Sequence, residues 1–269
     1  RKIIQTDGYE LTLQTICRAP YYYQIISIEH RNQWSLRVHV RKNEEDFLLL
    51  IVDPTFYNLQ QLSFLQKREI RLSKIADPEY TMLPVECVYN ERVVFQRYSY
   101  KKIQNFKDHL AHIQLELLDW VPEVLKCIQQ LSRSLFALHQ NLHFHLGLSW
   151  ENLYVDSNGQ FKLLGFGMGS RLTSQSKEWS PPEIHIGYPQ SEVGDFFALG
   201  RLISLIYKEI PIFEQEKYSY LEEVFHRLLD ENPLHRLQSH EDLQRLLEPS
   251  KVFRFYRHWN ADNFSSRIE

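Results

Sequence analysis

Apolar and polar residues alternate from Tyr9 to Thr15 (YELTLQT), and a period of two predicts a short strand. Cys17-Arg18-Ala19-Pro20 interrupts it. Tyr21 to Glu29 (YYYQIISIE) is rich in aromatic and β-branched residues, Trp34 to Arg41 (WSLRVHVR) alternates cleanly, and Phe47 to Val52 (FLLLIV) is a continuous apolar run. Short polar connections separate them, so three successive strands of an antiparallel sheet are expected. Between Leu59 and Ile75 apolar residues fall at Leu62, Leu65, Ile70, Leu72 and Ile75 among charged positions, a helical pattern that Asp77-Pro78 ends. Met82 to Tyr89 and Arg92 to Tyr98 read as a strand pair around Asn90-Glu91. A short helix starts over Phe106 to Leu110. From Leu115 to Leu142 the stripe Leu118, Val121, Val124, Leu125, Ile128, Leu131, Leu135 and Leu138 predicts a long buried helix, with Pro122 near its first turn. Val155 to Lys162 reads as a hairpin turning on Asn158-Gly159.

Composition adds bounds. The 269 residues suit one two-lobed domain or two small ones. A net charge of -3 removes any whole-chain case for nucleic-acid binding. Cys17, Cys87 and Cys127 lack metal-like spacing and are expected as reduced thiols of an intracellular, cytoplasmic protein. No apolar run approaches the ~20 residues of a membrane span. A first residue of Arg1 is what a fragment of a longer chain would show. Glycine placement says more. A loop that cradles phosphate needs glycines, because backbone N–H groups must come close to the ligand at positive φ. There is no glycine between Gly8 and Gly147, so no such loop is expected in the first half.

The stretch His143 to Glu183 holds the most ordered chemistry: His145-Leu146-Gly147-Leu148, three residues, Asn152, then Gly165-Phe166-Gly167, then Pro181-Pro182-Glu183. It resembles the catalytic loop, metal loop and activation segment of eukaryotic protein kinases, H-R-D-L-x-x-x-N, D-F-G and A-P-E. The frame is kept and both aspartates have become glycine. The resemblance implies an α+β, bilobal protein-kinase-like fold, with a small antiparallel β lobe carrying one helix (1–98), a mainly α-helical large lobe (99–250) and a tail (251–269). In that family one aspartate accepts the substrate hydroxyl's proton and the other holds Mg²⁺; Gly147 and Gly165 stand there. The family's strand lysine pairs with a helix glutamate, for which Glu69 is the candidate. Counting back places Leu50 at the lysine position; a second register places Arg41 there, and neither is lysine. Glu69 is equally well read as a solvated helix residue.

Other family positions are kept. Asp195, in GDFFALG, resembles the aspartate that braces the catalytic loop. Arg236, in NPLHR, resembles the arginine that pairs with the A-P-E glutamate, here Glu183. By resemblance Glu183, Asp195 and Arg236 are structural, and Asn152 is the one kept residue whose family role is chemical. Leu146 replaces the arginine that reads an activation-loop phosphate, so no phosphorylation switch of that kind is expected at Ser170, Thr173, Ser174 or Ser176. The basic-aromatic tail Lys251 to Trp259 is expected to pack on the large lobe.

With the glycine loop, the lysine, the base and the metal ligand all missing, the expectation is a pseudokinase. Such a domain would be a scaffold or allosteric regulator with protein partners, no phosphoryl transfer, no catalytic residue, no metal and no bound cofactor. The alternative is a divergent nucleotide-binding domain or atypical kinase with a rearranged metal site, where Asp156, Glu151 or Glu69 supplies a carboxylate.

Overall fold

A computed structural model describes residues 8–31, 35–53, 58–89, 93–100, 103–116, 119–166, 178–187 and 191–247. The chain opens with helix α1 (Gly8–Ile16), where the alternation of Tyr9 to Thr15 had predicted a strand. Tyr9, Thr12 and Ile16 are buried at helical spacing, and Tyr9 and Ile16 pack on the sheet. Seven residues of alternation accommodate both periods, and the available apolar surface selected the helix.

Strands β1 (Gln24–Arg31), β2 (Ser35–Lys42) and β3 (Glu45–Val52) follow, then helix α2 (Leu59–Ile75), β4 (Glu86–Tyr89) and β5 (Val94–Ser99). They form one antiparallel sheet in the order β1-β2-β3-β5-β4. Asn43 and Glu44, both at positive φ, make the two-residue turn between β2 and β3, the backbone that matches strand twist in a tight hairpin. A reciprocal capping box starts α2: Asn58 and Gln61 each accept the other's backbone N–H at 2.9 Å.

The sheet has two unlike faces. Leu36, Val38 and Val40 of β2 join Phe47, Leu49 and Ile51 of β3 in an outer cluster under α1. The other parity of β3, Leu48, Leu50 and Val52, packs with Leu65 of α2 and with Tyr98, Tyr154 and Leu164 toward the large lobe. Arg37 lies directly opposite Leu50 in the β2–β3 register, and side chains opposite one another in a pair share a face. Arg37 therefore points into the cleft between the lobes.

The large lobe begins with β6 (Ile103–Asn105), which pairs with β7 (Leu153–Asp156), itself paired with β8 (Phe161–Leu163). Its helices are α3 (Phe106–Glu116), α4 (Val121–His139), α5 (Pro182–His185), α6 (Glu192–Glu209), α7 (Ile212–Gln215), α8 (Tyr220–Leu228) and α9 (His240–Leu247). The stripe on α4 is its core: Val121, Val124, Leu125, Ile128, Leu131, Leu135 and Leu138 are all buried. Gly200 lets α6 and α8 meet, since a Cβ there would lie 2.5 Å from Leu228 Cβ. Among the described residues no helix is long and apolar enough to cross a membrane. The three cysteines are free, with Cys17 exposed and Cys127 buried. The tail, Gly167 and the serines and threonine of 168–177 lie outside the described residues.

Candidate active site between the lobes

The loop after α4 is held from below. Asp195, fully buried on α6, accepts the backbone N–H of His145 (2.7 Å) and of Leu146 (2.6 Å), and lies 2.8 Å from His139 Nε2. Leu146 has φ +58, a conformation that costs an L-residue roughly 1–2 kcal/mol, and its bond to Asp195 sits at that strained residue. Burial works to raise the Asp195 carboxyl. The hydrogen bond with His139, the electrostatic influence of His139 and His145 and the Leu146 N–H outweigh it, so the group stays below its ordinary value. His145 accepts the Gly147 N–H on Nδ1 (3.1 Å), which leaves Nε2 to donate to Leu164 O (3.2 Å). Burial then lowers His145 to about 4, so the ring is neutral and serves as a fixed strut.

Arg236 Nη1 and Nη2 donate to the two carboxylate oxygens of Glu183 at 2.5 and 2.7 Å, and both residues are buried. This bidentate pair ties α5 to the segment before α9. Across the cleft, Arg68 of α2 donates Nε to Phe166 O (3.0 Å) and Nη2 to Phe144 O (2.5 Å) and His145 O (3.2 Å), fastening the small-lobe helix to both loops.

The structure brings Gly147, Asn152 and Gly165 together. Asn152 Nδ2 donates to Gly147 O at 2.5 Å. Gly165 has φ +86, and a Cβ on it would come within 3.0 Å of Asn152 Oδ1. That oxygen accepts Arg37 Nη2 at 2.5 Å. Leu50, the position counted for the family lysine, is fully buried in the cleft-side cluster. Arg41 is outside it, bonded to Asp46 on the exposed end of the hairpin. Glu69 is fully buried, so its reading as a solvated residue is corrected; the Tyr98 hydroxyl lies 3.2 Å from its Oε1.

Arg37 is the residue that sequence reasoning missed. Only 3% of it is exposed, and among the described residues its Nε and Nη1 have no hydrogen-bond partner. Burial pulls it below its ordinary value, against the opposing influence of Tyr154, Glu151, Tyr98 and Glu29. A buried cation with two open N–H groups is costly unless an anion reaches it. The alternation of WSLRVHVR did carry a signal, since Arg37 opposes the apolar parity. Only the β2–β3 register shows that this parity faces the cleft and not water.

A cavity of about 440 Å³ lies between β1, the β6–α3 segment and β7, and three of its wall residues, Glu29, Glu151 and Tyr154, act electrostatically on Arg37, which does not itself line it. Its walls include Tyr100, Tyr154 and Trp150 and the charged Glu29, Glu151, Lys107 and Asp108. Both Tyr100 and Tyr154 donate their hydroxyls to Glu29, the latter at 3.1 Å. Burial tends to raise Glu151, but the Ser149 hydroxyl, its own backbone N–H, Arg37 and His30 hold it below the ordinary value, so it is ionised.

The fold family implies a nucleotide and Mg²⁺ here. Among the described residues the Arg37 Nε and Nη1 have no partner, but both are closed to solvent, so a phosphate would reach them only with movement of the surrounding side chains. The metal fits poorly at the family position, because Gly165 offers no carboxylate and the Asn152 oxygen already faces a guanidinium. Among the described residues no group of three His, Cys, Asp or Glu side chains could hold a metal ion.

No family model matches the chain. Aurora kinase A-A of Xenopus laevis is 29% identical over 136 residues, covering 41% of this chain and 33% of that protein. Dual specificity tyrosine-phosphorylation-regulated kinase 4 of Homo sapiens is 23% identical over 225 residues, covering 77% of this chain and 39% of that protein. The chain thus spans less than half the length of either relative. The PknI kinase domain of Mycobacterium tuberculosis superposes with a TM-score of 0.64 at 15% identity, covering 85% of this chain and 96% of that domain. A double-mutant form of it reaches 0.66 at 17%, covering 84% and 94%.

These relatives are kinases by name. They overturn two expectations: a pseudokinase scaffold without phosphoryl transfer, and a chain that is not an enzyme. The physical reason lies in Arg37. The expectation rested on the loss of the glycine loop, the lysine, the base and the metal ligand together, and for the lysine a buried guanidinium on β2 stands opposite the β3 position where it was sought. The chain has a protein-kinase-like fold, a small antiparallel β lobe joined to a helical large lobe.

Proposed function

We propose that this chain is a divergent kinase-fold domain that binds a nucleotide in a rearranged inter-lobe site, with Arg37 receiving phosphate. The observation that carries the reading is the pair of open N–H groups on a guanidinium that is 3% exposed. An arginine fork suits phosphate oxygens. The adjacent cavity, about 440 Å³, is within the range of small-molecule sites and offers Tyr100, Tyr154 and Trp150 to a base. Tyr154, Glu151 and Glu29 line that cavity and also interact with Arg37, which makes the two features one site. The kinase names of the relatives supply the ligand class.

For phosphoryl transfer, the ionised Glu151 is the carboxylate assigned to the acceptor hydroxyl, in place of the side chain that Gly147 lacks. Asn152 orients Arg37, and Glu183, Asp195 and Arg236 keep the frame. The lobe division at 98/99, the tail at 251–269, a protein substrate or partner without nucleic acid, and a cytoplasmic setting belong to the same proposal.

Thermal unfolding with and without ATP tests the reading, because a ligand that binds the folded state stabilises it by mass action. A rise of several degrees in the native chain, lost in Arg37→Met, is expected. An equal rise in Arg37→Met would contradict the site. Transfer of labelled phosphate to a protein acceptor, abolished by Glu151→Gln, is the expected enzymatic result.

A further inference from the structure

We infer that nucleotide binding in this cleft does without a divalent cation, with the Arg37 guanidinium standing where a phosphate-bound metal would meet the loop amide. This rests on the nucleotide reading above and goes a step beyond it.

The Asn152 side chain is committed at both ends. Its Oδ1 accepts Arg37 Nη2 and its Nδ2 donates to Gly147 O, each at 2.5 Å. An amide oxygen that already accepts from a cation presents its dipole to that cation, and a dication brought beside the guanidinium meets like charge in a buried setting. The second family ligand has no substitute in place: Gly165 carries no carboxylate, and its φ of +86 with a Cβ position 3.0 Å from Asn152 Oδ1 makes a side chain there strained and crowded against the amide.

The three carboxylates considered as replacements are otherwise engaged. Glu69 is buried on α2 beneath Tyr98. Asp156 accepts the backbone N–H of Asn158 (2.9 Å) and Gln160 (3.0 Å) in the β7–β8 turn. Glu151 faces the cavity, but it takes the Ser149 hydroxyl and lies 3.7 Å from His30. Mg²⁺ demands near-octahedral oxygen ligands and dehydrates reluctantly, so an arginine fork is the simpler neutraliser of phosphate here.

The test is calorimetric titration of the chain with ADP in EDTA, repeated in excess Mg²⁺. The expected result is the same affinity within about threefold in both, or weaker binding in Mg²⁺, with Arg37→Met at least tenfold weaker in each, about 1.4 kcal/mol or more. Binding at least tenfold tighter in Mg²⁺ overturns this inference and leaves the nucleotide site standing. No binding in either condition overturns the nucleotide reading and this inference with it. Gly165→Asp gives a second arm: it is expected to stay indifferent to Mg²⁺, and a gain of Mg²⁺ dependence with Arg37 intact would overturn the exclusion.

Discussion

Asp195 and Arg37 are both buried charges on the catalytic frame, one on each side of the cleft, and they are satisfied to different degrees. Asp195 meets two backbone N–H groups and an imidazole. Arg37 uses one N–H on Asn152 and leaves two groups open. The same holds more widely. In the large lobe Glu183 and Arg236 close on each other through two bonds, while Arg37 on the cleft face of the small lobe feels Glu151 and Glu29 without a hydrogen bond to either among the described residues. A buried charge with every partner present is architecture. One short of partners, behind the acidic wall of a cavity, is a candidate place for a ligand.

Substitutions can break that contrast. Arg236→Ala strands the Glu183 carboxylate among buried groups and is expected to cost about 3–5 kcal/mol in urea unfolding. A loss below about 1 kcal/mol would show that the frame is not held as described. Acid is next. Burial lowers His145 to about 4, and burial with the charge of His139 lowers His240 to about 3, both below the ordinary 6.5. The unfolded chain therefore takes up protons that the folded chain refuses. This contribution is complete above pH 6.5 and is lost as pH falls from 6.5 toward 4, and His145 alone removes ~2 kcal/mol between pH 7 and 5. A urea midpoint that stays flat over that range would contradict it.

Gly200→Ala forces a Cβ to 2.5 Å from Leu228 Cβ and is expected to cost roughly 1–3 kcal/mol as α6 and α8 separate, read as a lower urea midpoint. The smallest effect is expected from Arg37→Met. It relieves an incompletely paired cation and leaves Asn152 Oδ1 short of one donor, so the two changes offset to within about 1 kcal/mol. If Arg37→Met unfolds as readily as Arg236→Ala, Arg37 is frame and the contrast fails.

Much of this was legible in the residues. The runs at Phe47–Val52 and Val121–Leu138 became β3 and the core of α4, because each carries enough apolar surface to decide its own period. The kinase-like spacing from His145 to Glu183 placed Asn152 beside Gly147 and Gly165. Tyr9–Thr15 misled because alternation over seven residues has little weight against the apolar face of β2 and β3, which α1 covers. Arg37 stayed hidden for a related reason. A charged residue on the polar parity of a strand reads as solvent-facing until the large lobe is known to lie against that face. Glu69 was ambiguous in the same way: its burial follows from the packing of α2 under Tyr98, which no local pattern contains.

The most direct measurement is the Arg37 Nε–H signal in ¹⁵N-labelled chain, assigned by its loss in Arg37→Met, followed as ADP is added. A saturable shift of that signal, with the same midpoint as the thermal stabilisation, is the predicted result. Saturable binding of ADP that leaves the Arg37 signal unmoved would contradict it.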